Sequence, residues 1–196
     1  GKELFTRSGP SLVRQLVDRK FDVFLDLKYH DIPNTVARAC EAASDLGVWM
    51  MNVHSLGGEK MMATAKEALV ASGSPAKLIA VTWLTSSGQT ELDALGLNTT
   101  PEAMVSRLAS MTANAGLDGV VCSAQEASLL RQAHGDDFLL VTPGIRPADA
   151  SADDQQRIVT PKQAMQNGSS YLVIGRPITK SADPCKTILT INSEIG

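Results

Sequence analysis

The chain has 196 residues, of which 43% are hydrophobic and 20% are charged, and its formal net charge is −3. These proportions are typical of a packed globular domain and argue against nucleic-acid binding through a basic surface. No apolar run reaches the roughly 18 residues that a membrane span requires. Cys40, Cys122 and Cys185 are far apart, which argues against a metal site and favours free thiols in a reducing cytoplasm.

Helix-like and strand-like segments alternate along the whole chain. Apolar residues at helical spacing predict a first helix at 10–20, and short, continuously apolar segments predict strands. Six strands are expected, at 21–28, 49–55, 77–85, 119–123, 138–144 and 171–176. Further helices are expected at 32–47, 58–71, 99–116, 124–134, 161–167 and 183–194. The helix at 99–116 has the clearest start, because Thr99 and Glu102 have capping-box spacing around Pro101.

Repeated βα units with strands that are apolar throughout predict an α/β fold with a parallel sheet covered on both faces. Two architectures remain open, a doubly wound sheet and a closed (β/α)8 TIM barrel. No G-x-G-x-x-G motif follows a predicted strand, which argues against a doubly wound sheet that binds a dinucleotide. A barrel needs two more strands than the six expected here. Both architectures stay open on this pattern alone; a barrel would be a single domain, residues 1–196, that is incomplete at its N-terminus.

The stretch FLDLKYHDIP at 24–33 carries charges where a predicted strand ends. Asp26 and Lys28 are two positions apart, so they share one face of the strand. Functional groups of α/β folds collect at the carboxyl ends of strands, which makes the pair a candidate site. The alternative is an ion pair that only closes the top of a barrel core. Lys2 adds a further cation if the start of the chain is the end of an earlier strand.

Other strand ends carry weaker signals. Gly175 and Arg176 end the last predicted strand, and Arg146 follows the fifth, a pattern that suits phosphate binding, although Arg176 could instead be a surface residue before Pro177. His30 and His54 could be metal ligands, but no short-spaced partner supports that, and we expect hydrogen-bonded strand-end residues.

Longer blocks of sequence resemble a known family. DLKYHDIPNT is similar to the signature of the orotidine 5′-monophosphate decarboxylases, with the pattern Asp-x-Lys-x-x-Asp-Ile-Pro-Asn-Thr. LGVWMMNVHSLGG, LIAVTWLTS, GLDGVVCSAQEA, VTPGIRP and YLVIGRPIT resemble the bacterial branch in the same order. The resemblance covers essentially the whole chain. The Asp-Lys-Asp spacing alone is shared with related sugar-phosphate enzymes, whereas the later blocks are more specific.

The resemblance implies a (β/α)8 barrel that forms homodimers and acts in the cytoplasm. It implies conversion of orotidine 5′-monophosphate to uridine 5′-monophosphate and CO₂, in pyrimidine biosynthesis, without metal or organic cofactor. It also implies an N-terminal strand, helix and most of a second strand before Gly1, with Lys2 at that second strand's end. The alternatives that remain are a magnesium-dependent sugar-phosphate decarboxylase or aldolase, a non-catalytic phosphate-binding barrel and an inactive fragment.

The resemblance also implies roles for individual residues. Lys28 would protonate C6, Asp26 would lie beside the substrate carboxylate, and Lys2 would link Asp26 to the ribose. Asp31, Ile32 and Thr35 would reach the neighbouring subunit's site. The remaining substrate contacts would be Thr85 and Ser86 at the pyrimidine, and Arg146, Gln155, Gly175 and Arg176 at the phosphate. The segment 147–157, rich in Ala, Ser and Asp, is a candidate lid.

Overall fold

The structure, a computed structural model, describes residues 1–147 and 159–196. Its strands are β1 (Phe24–Tyr29), β2 (Met50–His54), β3 (Lys77–Val81), β4 (Gly119–Val121), β5 (Leu139–Thr142) and β6 (Tyr171–Leu172). Its helices are α1 (Lys2–Asp18), α2 (Pro33–Ser44), α3 (Glu59–Ala71), α4 (Gln89–Ala94), α5 (Pro101–Asn114), α6 (Ala127–His134), α7 (Pro161–Gln166), α8 (Arg176–Thr179) and α9 (Pro184–Ile195). The strands form a parallel sheet in chain order, so the predicted α/β fold with six strands is confirmed.

The predicted segments differ from these elements mainly at their ends. Every predicted strand is two to four residues longer than the observed one, because the predicted segments include flanking residues outside the strand. The short helices α4 and α8 were not predicted, since neither is long enough to develop an apolar stripe. No helix within the described residues combines the length and the apolar character that a membrane crossing needs.

The described chain divides into two compact units, residues 1–82 with 108–119 and residues 83–107 with 120–196. The first unit contains β1, β2 and β3, with Met50 paired to Lys77 and His54 to Val81. Its core is formed by the apolar faces of the strands and of the helices packed on them, including Leu25, Cys40, Met51, Met62 and Leu78. In the second unit β5 pairs with β6 in parallel, and a smaller cluster contains Ala124, Ile145 and Ala164. The prediction of one barrel domain stays a prediction.

Helix α1 begins eight residues before the predicted start. Gly9 interrupts it with φ 62° and ψ −166°, a conformation that favours glycine, and Pro10 then restarts the helix. Two helical segments therefore flank a kink. The expectation that Lys2 ends a strand is wrong, because Lys2 is the first residue of this helix.

The start of α5 also differs from its predicted capping. Thr100, and not Thr99, accepts a hydrogen bond from the Ala103 N–H, with an Oγ1–N distance of 3.2 Å. Adjacent threonines have the same capping chemistry, so the sequence alone favoured the one with a glutamate three positions later.

Two partly exposed polar networks hold backbone segments together. In the first unit Lys66 Nζ donates to both carboxylate oxygens of Asp118, at 2.9 and 2.8 Å, and Asp118 also accepts from the Leu78 N–H at 2.7 Å. In the second unit Arg131 donates through Nη1 to the carbonyls of Gly135, Asp136 and Phe138. Its Nη2 donates to the Gly168 carbonyl and to Ser170 Oγ. These contacts tie loop backbones to regular elements.

All three cysteines are free, as the sequence indicates. Cys40 and Cys122 are buried and Cys185 is exposed. Burial raises the pKa of the Cys40 thiol to about 12, helped by the nearby Glu41 charge, so this thiol is a core group without nucleophilic character.

Candidate active site

Strand β1 contains an irregularity at its charged end. Leu25 pairs with Met51 and Tyr29 with Val53, so Asp26, Leu27 and Lys28 together face the single β2 residue Asn52. Lys28 has φ 55°, a left-handed conformation that is costly for a residue with a Cβ. Bulges of this kind re-aim side chains, and strained backbone is concentrated at functional sites. The strand end is therefore built around an unusual placement of Lys28.

Three side chains meet at this bulge. Lys28 Nζ donates to Asp26 Oδ1 at 2.6 Å, which is the contact that their spacing predicts. Asn52 Nδ2 donates to the same oxygen at 2.7 Å. Asn52 Oδ1 accepts from the Lys28 backbone N–H at 2.7 Å, a bond that the strand ladder no longer provides. Asp26 and Lys28 remain partly accessible, whereas Asn52 is fully buried.

Opposing effects set the charge state of Asp26. Burial by itself would raise its pKa, but the hydrogen bonds from Lys28 and Asn52 and the Lys28 charge together hold the pKa below its ordinary value. Asp26 is therefore ionised near neutral pH, next to the Lys28 side chain. Within the described part of the chain, Asp26 Oδ2 accepts no hydrogen bond and is open to a ligand.

Two histidines lie beside the pair. The rings of His30 and His54 stack with centroids 5.5 Å apart, and His54 Nδ1 accepts from the Leu56 N–H at 3.3 Å. Burial lowers the pKa of His54 to about 4, and His30, Lys2 and Lys28 add to this electrostatically. His54 is thus neutral near pH 7 and, because Nδ1 accepts, carries its proton on Nε2.

The turn after His54 keeps these rings in place. A Cβ on Gly57 would lie 3.3 Å from His30 Cδ2 and would force the end of the Met61 side chain to move. In the described ranges, no cluster of three or more His, Cys, Asp or Glu residues has the arrangement of a metal site. The expected hydrogen-bonded role fits His54.

The other predicted residues of the first unit lie at two helix starts. Asp31, Ile32 and Thr35 are exposed at the beginning of α2, and Asp31 Oδ1 accepts from the Ile32 N–H at 2.6 Å. Ile32 leaves 67% of its surface uncovered. Lys2 is exposed at the start of α1 and acts on His54 electrostatically.

The predicted residues of the second unit lie in a turn, in a loop and at a helix start. Thr85 and Ser86 form a turn, Thr85 half-buried and Ser86 exposed. Gly175 precedes α8, and Arg176 is the first residue of that helix. Arg146 is buried, with Nη1 donating to its neighbour's carbonyl at 3.0 Å and Nε bonded to no described residue. Gln155 and nearly all of the candidate lid lie outside the described residues.

A family model described as Orotidine 5'-phosphate decarboxylase / HUMPS family matches residues 1–191. The chain belongs to this family. Membership agrees with the charged bulge at the end of β1, where the DLKYHDIPNT motif begins.

Individual relatives support the same assignment. An orotidine 5'-phosphate decarboxylase from Nitrosococcus oceani is 60% identical over 196 residues, which are 100% of this chain and 84% of that protein. A crystal structure of the enzyme of that name from Lactobacillus acidophilus is 41% identical with a TM-score of 0.84, covering 96% of this chain and 81% of that one. The one from Pyrococcus horikoshii shares the fold, with TM-score 0.76 at 21% identity, and the match covers 98% of this chain and 83% of that chain.

In this member of the family, Asn52 is the site residue that sequence reasoning did not select. The signal was present, because Asn52 is a lone amide inside the apolar run WMMNVHS. A buried amide needs partners, and an interrupted strand beside it supplies them. The length of the bulge in β1 could not be read from the sequence, so the partners of Asn52 could not be named.

Proposed function

We propose that this chain is an orotidine 5′-phosphate decarboxylase, a carboxy-lyase of pyrimidine biosynthesis, in which Lys28 supplies a proton to C6 of the pyrimidine. The observation that carries the reaction is the identity of about 60% over the full chain with a curated decarboxylase of this name. The observation that carries the mechanism is the bulge that holds the Lys28 ammonium against Asp26.

The reaction breaks the bond between C6 and the carboxylate, and CO₂ leaves. The electron pair remains at C6, so a positive charge placed there stabilises the transition state. The Lys28 ammonium supplies that charge and then the proton that forms the new C6–H bond. Solvent reprotonates Lys28, and the product is uridine 5′-monophosphate.

Asp26 contributes in two ways to this proposal. It fixes the Lys28 ammonium by an ion pair of 2.6 Å, which removes the freedom of a long flexible side chain. Its second oxygen would lie beside the substrate carboxylate, and repulsion there would ease the departure of CO₂. The low pKa of Asp26 supports this role, because only the ionised form does either task.

The remaining contacts follow the family motif. Arg176 and Gly175, with Arg146 and Gln155, would bind the phosphate, and Thr85 with Ser86 would bind the pyrimidine. The buried guanidinium of Arg146, whose Nε has no partner among the described residues, supports an anion in the second unit. Lys2 would act at the ribose, although its helical position makes it the least supported member of the set.

A homodimer is part of the proposal. Asp31, Ile32 and Thr35 would enter the partner subunit's site, and the exposed Ile32 side chain supports an apolar contact at that edge. We also propose a closed (β/α)8 barrel and a cytoplasmic location, the latter supported by the three free cysteines.

The reaction is tested by incubating the purified chain with orotidine 5′-monophosphate and quantifying uridine 5′-monophosphate and CO₂. We expect both products in equal amounts, with and without a chelator. Activity towards a sugar phosphate that disappears with the chelator, and no uridine 5′-monophosphate, would instead indicate the magnesium-dependent alternative. Tight nucleotide binding without turnover would indicate a binding module.

The phosphate contact is tested by Arg176→Ala. Loss of a charge-assisted hydrogen bond to phosphate is expected to raise KM by roughly 10- to 100-fold. Lys180→Ala, in the turn that follows the same short helix, is the matched control and should leave KM unchanged. An unchanged KM for Arg176→Ala removes this residue from the phosphate site.

A further inference from the structure

We propose that Asn52 is a positioning residue of the active site, whose amide holds both the Asp26 carboxylate and the strained Lys28 backbone in their working geometry. This inference rests on the proposed function and deepens it. Asn52 touches neither reacting atom in the proposed mechanism, so its effect reaches the chemistry through its two neighbours.

The register of the sheet explains why one residue has this task. Three β1 residues, Asp26 to Lys28, stand opposite Asn52 alone, since the pairing moves from Leu25–Met51 directly to Tyr29–Val53. A regular ladder would give each backbone N–H a carbonyl partner. At the bulge the Asn52 side chain fills that place, accepting from the Lys28 N–H at 2.7 Å.

The other half of the amide acts on the carboxylate. Asn52 Nδ2 and Lys28 Nζ both donate to Asp26 Oδ1, at 2.7 and 2.6 Å. Two donors on one oxygen fix the rotation of the carboxylate and leave Oδ2 open. The amide is fully buried, so water cannot replace it without opening the sheet.

Asn52 also stabilises the charged form of Asp26. Its donor is one of the causes that keep the pKa of Asp26 low against the effect of burial. Among the described side chains, Lys28 is the charged group that acts on Asp26, and neutral substitutions of Asn52 do not alter it. A change in the titration of Asp26 in an Asn52 variant therefore reports the loss of this hydrogen bond.

Two variants and a control test the inference in the full chain. Asn52→Ala removes both hydrogen bonds, and Asn52→Leu also removes both while it keeps a side chain of similar size and adds no charge. Thr112→Val is the control, because Thr112 is also fully buried in the first unit and bonds to Ser55 Oγ and the Leu108 carbonyl, away from the charged pair. All are compared by thermal unfolding before kinetics are measured.

We expect kcat for orotidine 5′-monophosphate to fall by roughly 10- to 100-fold in both Asn52 variants, the range for hydrogen bonds to charged groups, with KM little changed. The acidic limb of the pH profile of kcat should move upward by about one pH unit, because the pKa of Asp26 rises. Thr112→Val should lose stability and keep both kcat and the acidic limb.

An activity-independent readout separates this inference from the proposed reaction. The carboxyl carbon of Asp26 and the backbone amide of Lys28, followed by NMR during a pH titration, should both change in Asn52→Ala. If the wild-type chain makes no uridine 5′-monophosphate but these signals change, the proposed reaction fails and the positioning role stands. The inference is overturned if Asp26 titrates in Asn52→Ala as it does in the wild type. It is also overturned if the acidic limb of the pH profile of Asn52→Ala equals that of Thr112→Val.

Discussion

Two lysine–aspartate pairs in the first unit have nearly equal exposure and very different surroundings. The side chains of Lys28 and Asp26 are 26% and 32% exposed, and those of Lys66 and Asp118 are 24% and 31% exposed. Lys66 contacts both oxygens of Asp118 from a regular helix, and a backbone N–H completes the carboxylate. Lys28 contacts one oxygen of Asp26 from a left-handed backbone, and a side-chain amide shares that oxygen.

The comparison shows that charge and burial do not by themselves mark a functional pair. At Lys66–Asp118 the protein bonds both carboxylate oxygens and uses no strained residue, which suits a structural tie. At Lys28–Asp26 it leaves one oxygen open and accepts a strained lysine. Backbone conformation and the number of occupied oxygens distinguish the two pairs, and each can be tested separately.

Activity should separate the pairs most strongly. Lys28→Ala removes the proposed proton donor, and we expect kcat to fall on the order of 10²–10⁴-fold, the usual contribution of a positioned acid. Lys66→Ala should keep its kcat. Steady-state kinetics and titration with uridine 5′-monophosphate measure turnover and binding, and near-normal turnover in Lys28→Ala ends the proton-donor role.

Acidification should lower the free energy of unfolding because His54, at the end of β2, becomes protonated more readily in the unfolded chain. The pKa of His54 is about 4 in the folded chain against 6.5 for an ordinary histidine, so between these values the unfolded chain holds a proton that the folded chain lacks. Stability is therefore expected to decline as pH falls from 6.5 to about 4. Urea unfolding at several pH values should give a shallower decline for His54→Gln and an unchanged one for Lys66→Ala. Equal slopes for the wild type and His54→Gln would exclude this contribution.

Removing the Asp118 carboxylate should lower the stability of the fold without changing turnover. Asp118→Ala leaves the Leu78 N–H and the Lys66 ammonium without their acceptor, and we expect a loss of about 1–3 kcal/mol in the free energy of unfolding. Turnover by the folded protein should persist, whereas Asp26→Ala should lose it. A parallel loss of kcat in Asp118→Ala would show that the two pairs are not independent.

Glycine should have opposite effects at the two lysines. Because Lys28 is left-handed, Lys28→Gly is expected to be more stable than Lys28→Ala by about 1–2 kcal/mol. Lys66 lies inside helix α3, so Lys66→Gly should be less stable than Lys66→Ala by about 1 kcal/mol. Denaturant unfolding of the four variants checks the reversal, and the same sign at both positions would contradict the strain at Lys28.

Much of the charged pair was predictable from the sequence. The spacing of Asp26 and Lys28 put both on one face of a strand, and the apolar run before them marked the strand itself. The left-handed Lys28 was not predictable, because lysine has no preference for that conformation and the bulge depends on the register with β2. Asn52 became meaningful only through that register.

Other differences have equally local causes. Lys2 was assigned to a strand end by resemblance, but Gly9 and Pro10 allow a helix to form on both sides of a kink and Lys2 falls in the first part. Helix α4 has only six residues, too few for an apolar period to stand out from a loop. The side chains that face a ligand depend on such details more than the order of strands does.

The hydrogen bonds of Arg131 determine which substitutions preserve this part of the structure. The guanidinium donates to four backbone carbonyls and to one serine hydroxyl. Its distance to the fully exposed Asp136 carboxylate is longer, at 3.8 Å. Recognition of carbonyls does not depend on the identity of the side chains that bear them. Replacing the Asp136 side chain therefore leaves these hydrogen bonds in place, whereas Arg131→Lys loses them, since lysine has no fork to reach several carbonyls at once.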